Sequence, residues 1–208
     1  AIIYDDVYIG NNVEIKDFAI IYPGVHIGDN VEIGSHTIIK SNVIIDSGTT
    51  IGDQCIIGEV SAAYYLNKDN YERKKTMIGK NSIVRSGSII YEDVIIQDNF
   101  QSWHRITIRE DTRIGKNCSI GTLCDIQGKV KIGSFVRLHS NVFIGQLSVI
   151  EDYVWIYPYV VLTNDPYPPM GKLKGVTIKE YAQVATSSVI MPGVIIGVNA
   201  LVGAHTLV

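Results

Sequence analysis

One aliphatic side chain returns every sixth residue along this chain, and that spacing constrains its fold more than any other feature. From Ile78 the series runs through Val84, Ile90 and Ile96, meets Ser102, and continues from Ile108 by sixes to Leu162. The same clock runs earlier from Ile3 to Ile57, and it resumes at Ile178, Val184, Ile190, Ile196, Val202 and Val208. A period of six fits neither the 3.6 of an amphipathic helix nor the 3.5 of a coiled coil. Turn-formers recur inside every unit, so long sandwich strands are excluded too. Short repeats of this kind predict a solenoid, here a parallel β-helix of hexapeptide repeats.

The fifth place of each hexad is small or β-branched, as at Val7, Val13, Ala19, Val25, Val31 and Thr37. One large and one small inward side chain per hexad suits a flat strand facing a narrow triangular interior. Gly or Asn often holds the fourth place (Asn12, Gly24, Asn30), where a corner needs positive φ or turn geometry. Three hexads make one coil, which gives a single domain over residues 1–208 with about ten coils. The 208 residues, 46% of them hydrophobic, suffice for such a core. Cys55, Cys118 and Cys124 fall at fifth places and read as core thiols of a cytosolic protein, with neither metal spacing nor an even count.

The net charge of −3 gives no basic footprint for nucleic acid or an anionic membrane. No window approaches the ~20 apolar residues of a membrane span, and the N-terminus lacks a signal-like charged and apolar pair of regions.

The clock stops twice, at about 61–76 (SAAYYLNKDNYERKKT) and at 163–176 (TNDPYPPMGKLKGV). Counting hexads in threes places Ile57 and Leu162 on one face, so both loops leave from the same corner. Loops that leave a solenoid without disturbing it usually carry function. Sorted by coil, one face runs through SWHRIT (102–107), IGTLCD (120–125) and LHSNVF (138–143) to VATSSV (184–189) and VGAHTL (202–207). Its middle coils are rich in His, Arg, Trp and Asn, and its last two are nearly bare. A polar zone fading into a small-residue strip suits a polar ligand beside a long thin one.

WHRITIRE (103–110), HSNVFIG (139–145), VVLTNDPYPP (160–169) and VIMPGVIIGVNALVGAHTLV (189–208) resemble the left-handed β-helix hexapeptide-repeat acyltransferases. Within them they are similar to the branch that acylates the amino group of dTDP- or UDP-linked amino-dideoxy sugars. The resemblance covers essentially the whole chain. It implies a left-handed helix and a cytoplasmic homotrimer with active sites between subunits. It also implies an acyl-CoA co-substrate, acetyl or longer, and a nucleotide-sugar acceptor.

On that resemblance His139 and Asn164 lie around the reacting groups. His139 would orient or deprotonate the amine, and Asn164 would hydrogen-bond the sugar or thioester. The acceptor set is Arg85, Ser86, Glu92, His104, Arg105, Arg109, Glu110, Asp125 and Asn141, because arginines suit a diphosphate. Trp103, or a tyrosine of the first loop, would stack on the base. The donor set is Gln146, Asp165, Lys179, Ala185, Thr186 and Gly203, with Ala185 above Gly203 in the strip and Lys179 toward a CoA phosphate. Some sugar acetyltransferases of this fold carry a catalytic His where this chain has Gln146, so no His–Asp dyad is evident. The rivals are O-acylation of a sugar or small hydroxyl acceptor, a non-catalytic trimeric scaffold, and a zinc-dependent γ-type carbonic anhydrase. The last needs a third histidine, where the chain reads Val142, Phe143, Ile144 and Gly145.

Overall fold

The computed structural model describes residues 1–169 and 171–208; Met170, inside the second expected loop, lies outside the described residues. Among the described residues, thirty short strands form three parallel sheets of ten strands each. Sheet 1 begins at Ile2–Ile3, sheet 2 at Tyr8–Ile9 and sheet 3 at Glu14–Ile15. Every third strand joins the same sheet, which is the topology of a three-sided parallel β-helix with ten coils. The bridge Val189↔Leu207 adds the start of another level.

Register follows the clock. Ile3 pairs with Ile21, Ile21 with Ile39, and Ile39 with Ile57, so each inward side chain rests on an equivalent one. Ile21, Ile27, Ile33, Ile39, Ile45, Ile51 and Ile57 are all fully buried. Each strand is only two to four residues long, too short to be stable alone, and depends on its neighbours above and below. The corners hold one left-handed residue apiece, such as Asn12, Asn30, Asn99 and Asn117. Asn12 donates to Asn30 at 3.3 Å and Asn99 to Asn117 at 3.1 Å, an inter-coil ladder that offsets the conformational cost. Phe135, Tyr153 and Tyr181 take the same conformation at the corner between sheets 2 and 3. Their rings stack at 4.8 and 4.9 Å in place of asparagine hydrogen bonds. The three cysteines are free and buried, and burial pushes each thiol up to about 11, so they are inert core groups.

Ser102, the break in the clock, has a packing explanation. Phe100, two residues before it at the normally small place, is fully buried, and Ser102 is 1% exposed. Large and small have exchanged positions, which keeps the coil's volume roughly constant. The Ser102 hydroxyl accepts a hydrogen bond from the Arg85 N–H at 3.0 Å, so it is not orphaned in the core.

Both loops leave from the same corner, after Ile56–Glu59 and Val161–Leu162, two strands of sheet 1. The coils close behind them: Thr76 pairs with Val43, and Thr177 with Val149. Thr76 is thus a strand residue, and the first loop ends just before it. That loop carries a short helix, Ala62–Leu66, and a 3-10 turn, Lys68–Asn70. Its anchor is Glu92, 2% exposed, whose Oε1 accepts from the Ser61 N–H at 3.3 Å. Arg73 donates to the Gly58 carbonyl, and its Nε stands 4.0 Å from Glu92 Oε2. Neither of those facing atoms has a hydrogen-bond partner among the described residues. Burial raises the Glu92 carboxyl above its ordinary range. This corrects the expectation that Glu92 holds the acceptor: it is sealed beneath the loop and serves as the loop's anchor.

Two stability outcomes follow. Ser102→Ile alone overfills its coil and lowers stability by about 1–3 kcal/mol. Adding Phe100→Ala restores part of that loss, so a double-mutant cycle from denaturant melts gives a non-zero coupling term. Because its folded-state carboxyl is raised, Glu92 lowers stability progressively as pH rises above ~4. Glu92→Gln therefore melts above wild type at pH 7 and converges with it near pH 4; a lower melting temperature at pH 7 would show that Arg73 wins over burial.

Candidate active site

At the corner between sheets 3 and 1, the residue following each sheet 3 strand sits over its counterpart one coil away. In the middle and last coils this column reads Trp103, Gly121, His139, Tyr157, Ala185 and Gly203. Backbone donations from Trp103 to Ile120, Gly121 to Leu138, His139 to Ile156 and Tyr157 to Val184, 2.8–3.0 Å long, hold it in line. A groove of about 460 Å³ opens over the column's middle, lined by Gln101, Trp103, Ser119, Gly121, Thr122, Arg137, His139, Ser140 and Trp155.

The groove's walls are planar groups. The Arg85 guanidinium lies 4.8 Å over the Trp103 ring, and Arg137 lies 5.6 Å over Trp155. His139 stacks on Tyr157 at 5.6 Å with the rings 4° apart, and on Trp155 at 5.8 Å and 11°. Arg85, Arg105 and Arg137 have no carboxylate partner among the described residues. The groove is therefore a locally cationic patch on an acidic protein, chemistry suited to a polyanion with a flat ring.

Of the expected acceptor residues, Arg85, Ser86, His104, Arg105 and Asn141 stand at this corner, between sheet 3 and sheet 1 strands. His104 lies one residue further round its turn than Trp103, in the column of Thr122 and Ser140. What the hexads suggested was one face is thus a corner: each hexad as first divided begins on sheet 3 and ends on sheet 1.

Arg109, Glu110 and Asp125 form a different constellation, on sheet 1 and its far corner. Arg109 makes a bidentate pair with Glu110, its Nε 3.1 Å from Oε2 and its second terminal nitrogen 2.9 Å from Oε1. It also donates to Gln127 Oε1 at 3.0 Å, and the Gln127 amide donates to both Asp125 oxygens at 2.9 Å. Burial raises the Asp125 carboxyl, and the Gln127 hydrogen bond partly opposes this. Arg109 is thereby neutralised inside the chain, unlike the free arginines of the groove.

His139 and Asn164 do not meet within one chain. His139 precedes sheet 1 in its coil, whereas Asn164 follows it in the next, beside Gly145 at the opposite corner. The donor set is spread likewise. Ala185, Thr186 and Gly203 are at the groove's corner, but Gln146 and Asp165 are at the loop corner. Asp165 there accepts from the Tyr167 N–H at 3.1 Å. Lys179 stands at the third corner and pairs with Glu151 at 2.5 Å, which holds that carboxyl below its ordinary range. Within one chain it therefore stands at a different corner from Ala185 and Gly203. The first-loop tyrosines pack on one another, Tyr64 against Tyr65 and Tyr71 at 5.1 and 5.4 Å, and leave from the loop corner, so within a chain they do not reach the groove.

Arg137, Trp155, Tyr157, Gln127 and the gap at Gly121 were missed by sequence reasoning. Their signal was present in the three-hexad step: Trp103, Gly121, His139 and Tyr157 are eighteen residues apart in turn. Among the described residues no three His, Cys, Asp or Glu side chains are placed to hold a metal ion. No helix there is long and apolar enough to cross a membrane.

The bacterial transferase hexapeptide (six repeats) model matches residues 6–41 and 111–146, and the hexapeptide repeat of succinyl-transferase matches 25–58. No curated protein sequence matches the chain. Among solved structures, a UDP-N-acetylglucosamine acyltransferase from Bacteroides fragilis is 25% identical with a TM-score of 0.69, over 79% of this chain and 70% of that one. A UDP-N-acetylglucosamine O-acyltransferase from Moraxella catarrhalis is 24% identical with a TM-score of 0.50, over 78% and 67%, and supports the fold. With the hexapeptide register continuing through all ten coils, these matches support an acyltransferase enzyme, similar in repeat and fold to the hexapeptide-repeat acyltransferases.

Proposed function

We propose that this enzyme transfers an acyl group from acyl-CoA to the amino group of a dTDP- or UDP-linked amino-dideoxy sugar. The observation that carries the reading is the groove at the corner of sheets 3 and 1. There, Arg85 and Arg137, without carboxylate partners among the described residues, lie over Trp103 and Trp155, and the same column runs on into Ala185 and Gly203. Guanidinium groups without internal carboxylates suit a diphosphate. A bare strip directly below lets a thin pantetheine chain approach the backbone.

The chemistry needs a neutral amine, a polarised thioester carbonyl and a proton outlet. The amine nitrogen bonds to the carbonyl carbon, the C–S bond breaks, and the departing thiolate takes the amine proton, directly or through water. Among the described residues His139 has no side-chain hydrogen bond that would fix one tautomer. Its part is therefore to orient the acceptor, and the thiolate completes the proton balance. Asn164 hydrogen-bonds the sugar or thioester from the loop corner of a neighbouring copy. The scattering of Asn164, Gln146, Asp165 and Lys179 over other corners supports a homotrimer whose sites form between subunits, working in the cytoplasm. A second reading is O-acylation of a sugar hydroxyl; the Bacteroides fragilis structure is of a UDP-N-acetylglucosamine acyltransferase, which supports a nucleotide-sugar acceptor in either reading.

Assays with dTDP- and UDP-amino sugars against acetyl-CoA and longer acyl-CoAs test the reading, each beside the matching hydroxy sugar. Turnover of the amino sugars alone is expected; turnover of only the hydroxy sugars transfers the case to O-acylation. Arg137→Ala raises KM for the nucleotide sugar about tenfold or more with little change in kcat. A Cβ at Gly203 meets only Thr206 Oγ1, at 3.6 Å, so the fold accepts a side chain there. Gly203→Leu accordingly keeps the melting temperature but raises KM for acyl-CoA; an unchanged KM removes the strip from the donor site.

A further inference from the structure

The column of planar groups at the groove has one empty level. Arg85 covers the outer face of Trp103, and Tyr157 with Trp155 covers the outer face of His139. Between Trp103 and His139 stands only Gly121, one coil from each. Coils repeat every ~4.8 Å, so a ring at the Gly121 level would lie about that far from both neighbours, inside the 4.5–7 Å range of aromatic pairs. Glycine is enforced here by the backbone rather than by φ. A Cβ would stand 2.4 Å from the His139 carbonyl carbon and the Ser140 nitrogen. The gap is thus built into the coil stacking. The Trp103 side chain is 49% exposed and Trp155 38%, so the level opens to solvent.

We infer that a planar heteroaromatic ring, the nucleobase of a nucleoside diphosphate, inserts between Trp103 and His139 over Gly121. This rests on the nucleotide-sugar reading above and deepens it. Arg137 lies on the same coil as His139 and borders the same groove, so the diphosphate leaves the slot toward an unpaired guanidinium. His139 then acts as the floor of a stacking slot and as a positioning residue, and its imidazole is replaceable by another flat ring. Stacking tolerates different bases because each presents a π face, so the slot sets ring binding rather than base identity.

The test titrates UDP and inorganic pyrophosphate into the full chain, followed by tryptophan fluorescence and heat. UDP is expected to bind at least tenfold more tightly than pyrophosphate, with quenching of fluorescence. Trp103→Leu should erase that advantage and Trp103→Phe largely keep it. His139→Ala should weaken UDP about tenfold, whereas His139→Phe keeps UDP affinity within about threefold. Both positions are on the surface, so these variants fold. Equal binding of UDP and pyrophosphate, or UDP affinity indifferent to Trp103→Leu, overturns the slot. Unchanged UDP affinity in His139→Ala also overturns it, because the imidazole would then form no floor for the base. If no nucleotide amino sugar is acylated but the UDP advantage and its Trp103 dependence hold, the acceptor reading fails and the slot stands.

Discussion

Everything in this molecule depends on one repeated contact: a short parallel strand hydrogen-bonded to its equivalent one coil away, with an aliphatic side chain stacked on its own kind. No strand is long enough to stand by itself, so stability is shared between neighbouring coils rather than stored in any element. That dependence explains why the period is kept so strictly from Ile3 to Val202. A one-residue slip would turn a whole level of inward side chains outward. It also explains how two loops are tolerated, since each leaves and returns at a corner and the pairing of Ile56 with Ile89 and of Val161 with Val189 is preserved.

Against so regular a scaffold, departures carry information, but of two kinds. Phe100 and Ser102 depart from the pattern and compensate each other inside one coil, which makes the break a packing solution. Glu92 and Arg73 depart by burying opposite charges that face each other without a hydrogen bond, and that pair fixes the root of the first loop. By contrast, Tyr157 donates only to Gln183 Oε1, and Trp103, His139 and Arg137 have no side-chain hydrogen bond or ion pair among the described residues. They are exposed, flat or cationic, and aligned. The chemistry left over after internal accounting is what marks the groove as the site.

The fold was legible almost entirely, because a hexad clock in sequence is also a clock in space. The cysteines, the ten coils, the corner asparagines and the shared exit of the two loops all followed from counting. The site was legible in part. His104, Arg105 and His139 were picked out as exceptions to the pattern, and they do stand at one corner. Arg109, Glu110 and Asp125 were grouped with them by nearness in sequence, yet a third of a coil separates corners that point in different directions. Glu92 looked like a surface acid because nothing in its hexad shows that a loop folds over it.

The sequence by itself determined the period, the inward residues, the class of enzyme that such repeats resemble, and the places where the chain leaves its scaffold. Only the tertiary structure decided which side chains share a corner, which arginines are already neutralised, and that a glycine interrupts a stack of flat groups between Trp103 and His139. The reason is physical. Inward packing is dictated locally, six residues at a time, whereas a surface site is assembled from residues eighteen apart whose partners are chosen by the direction of each turn.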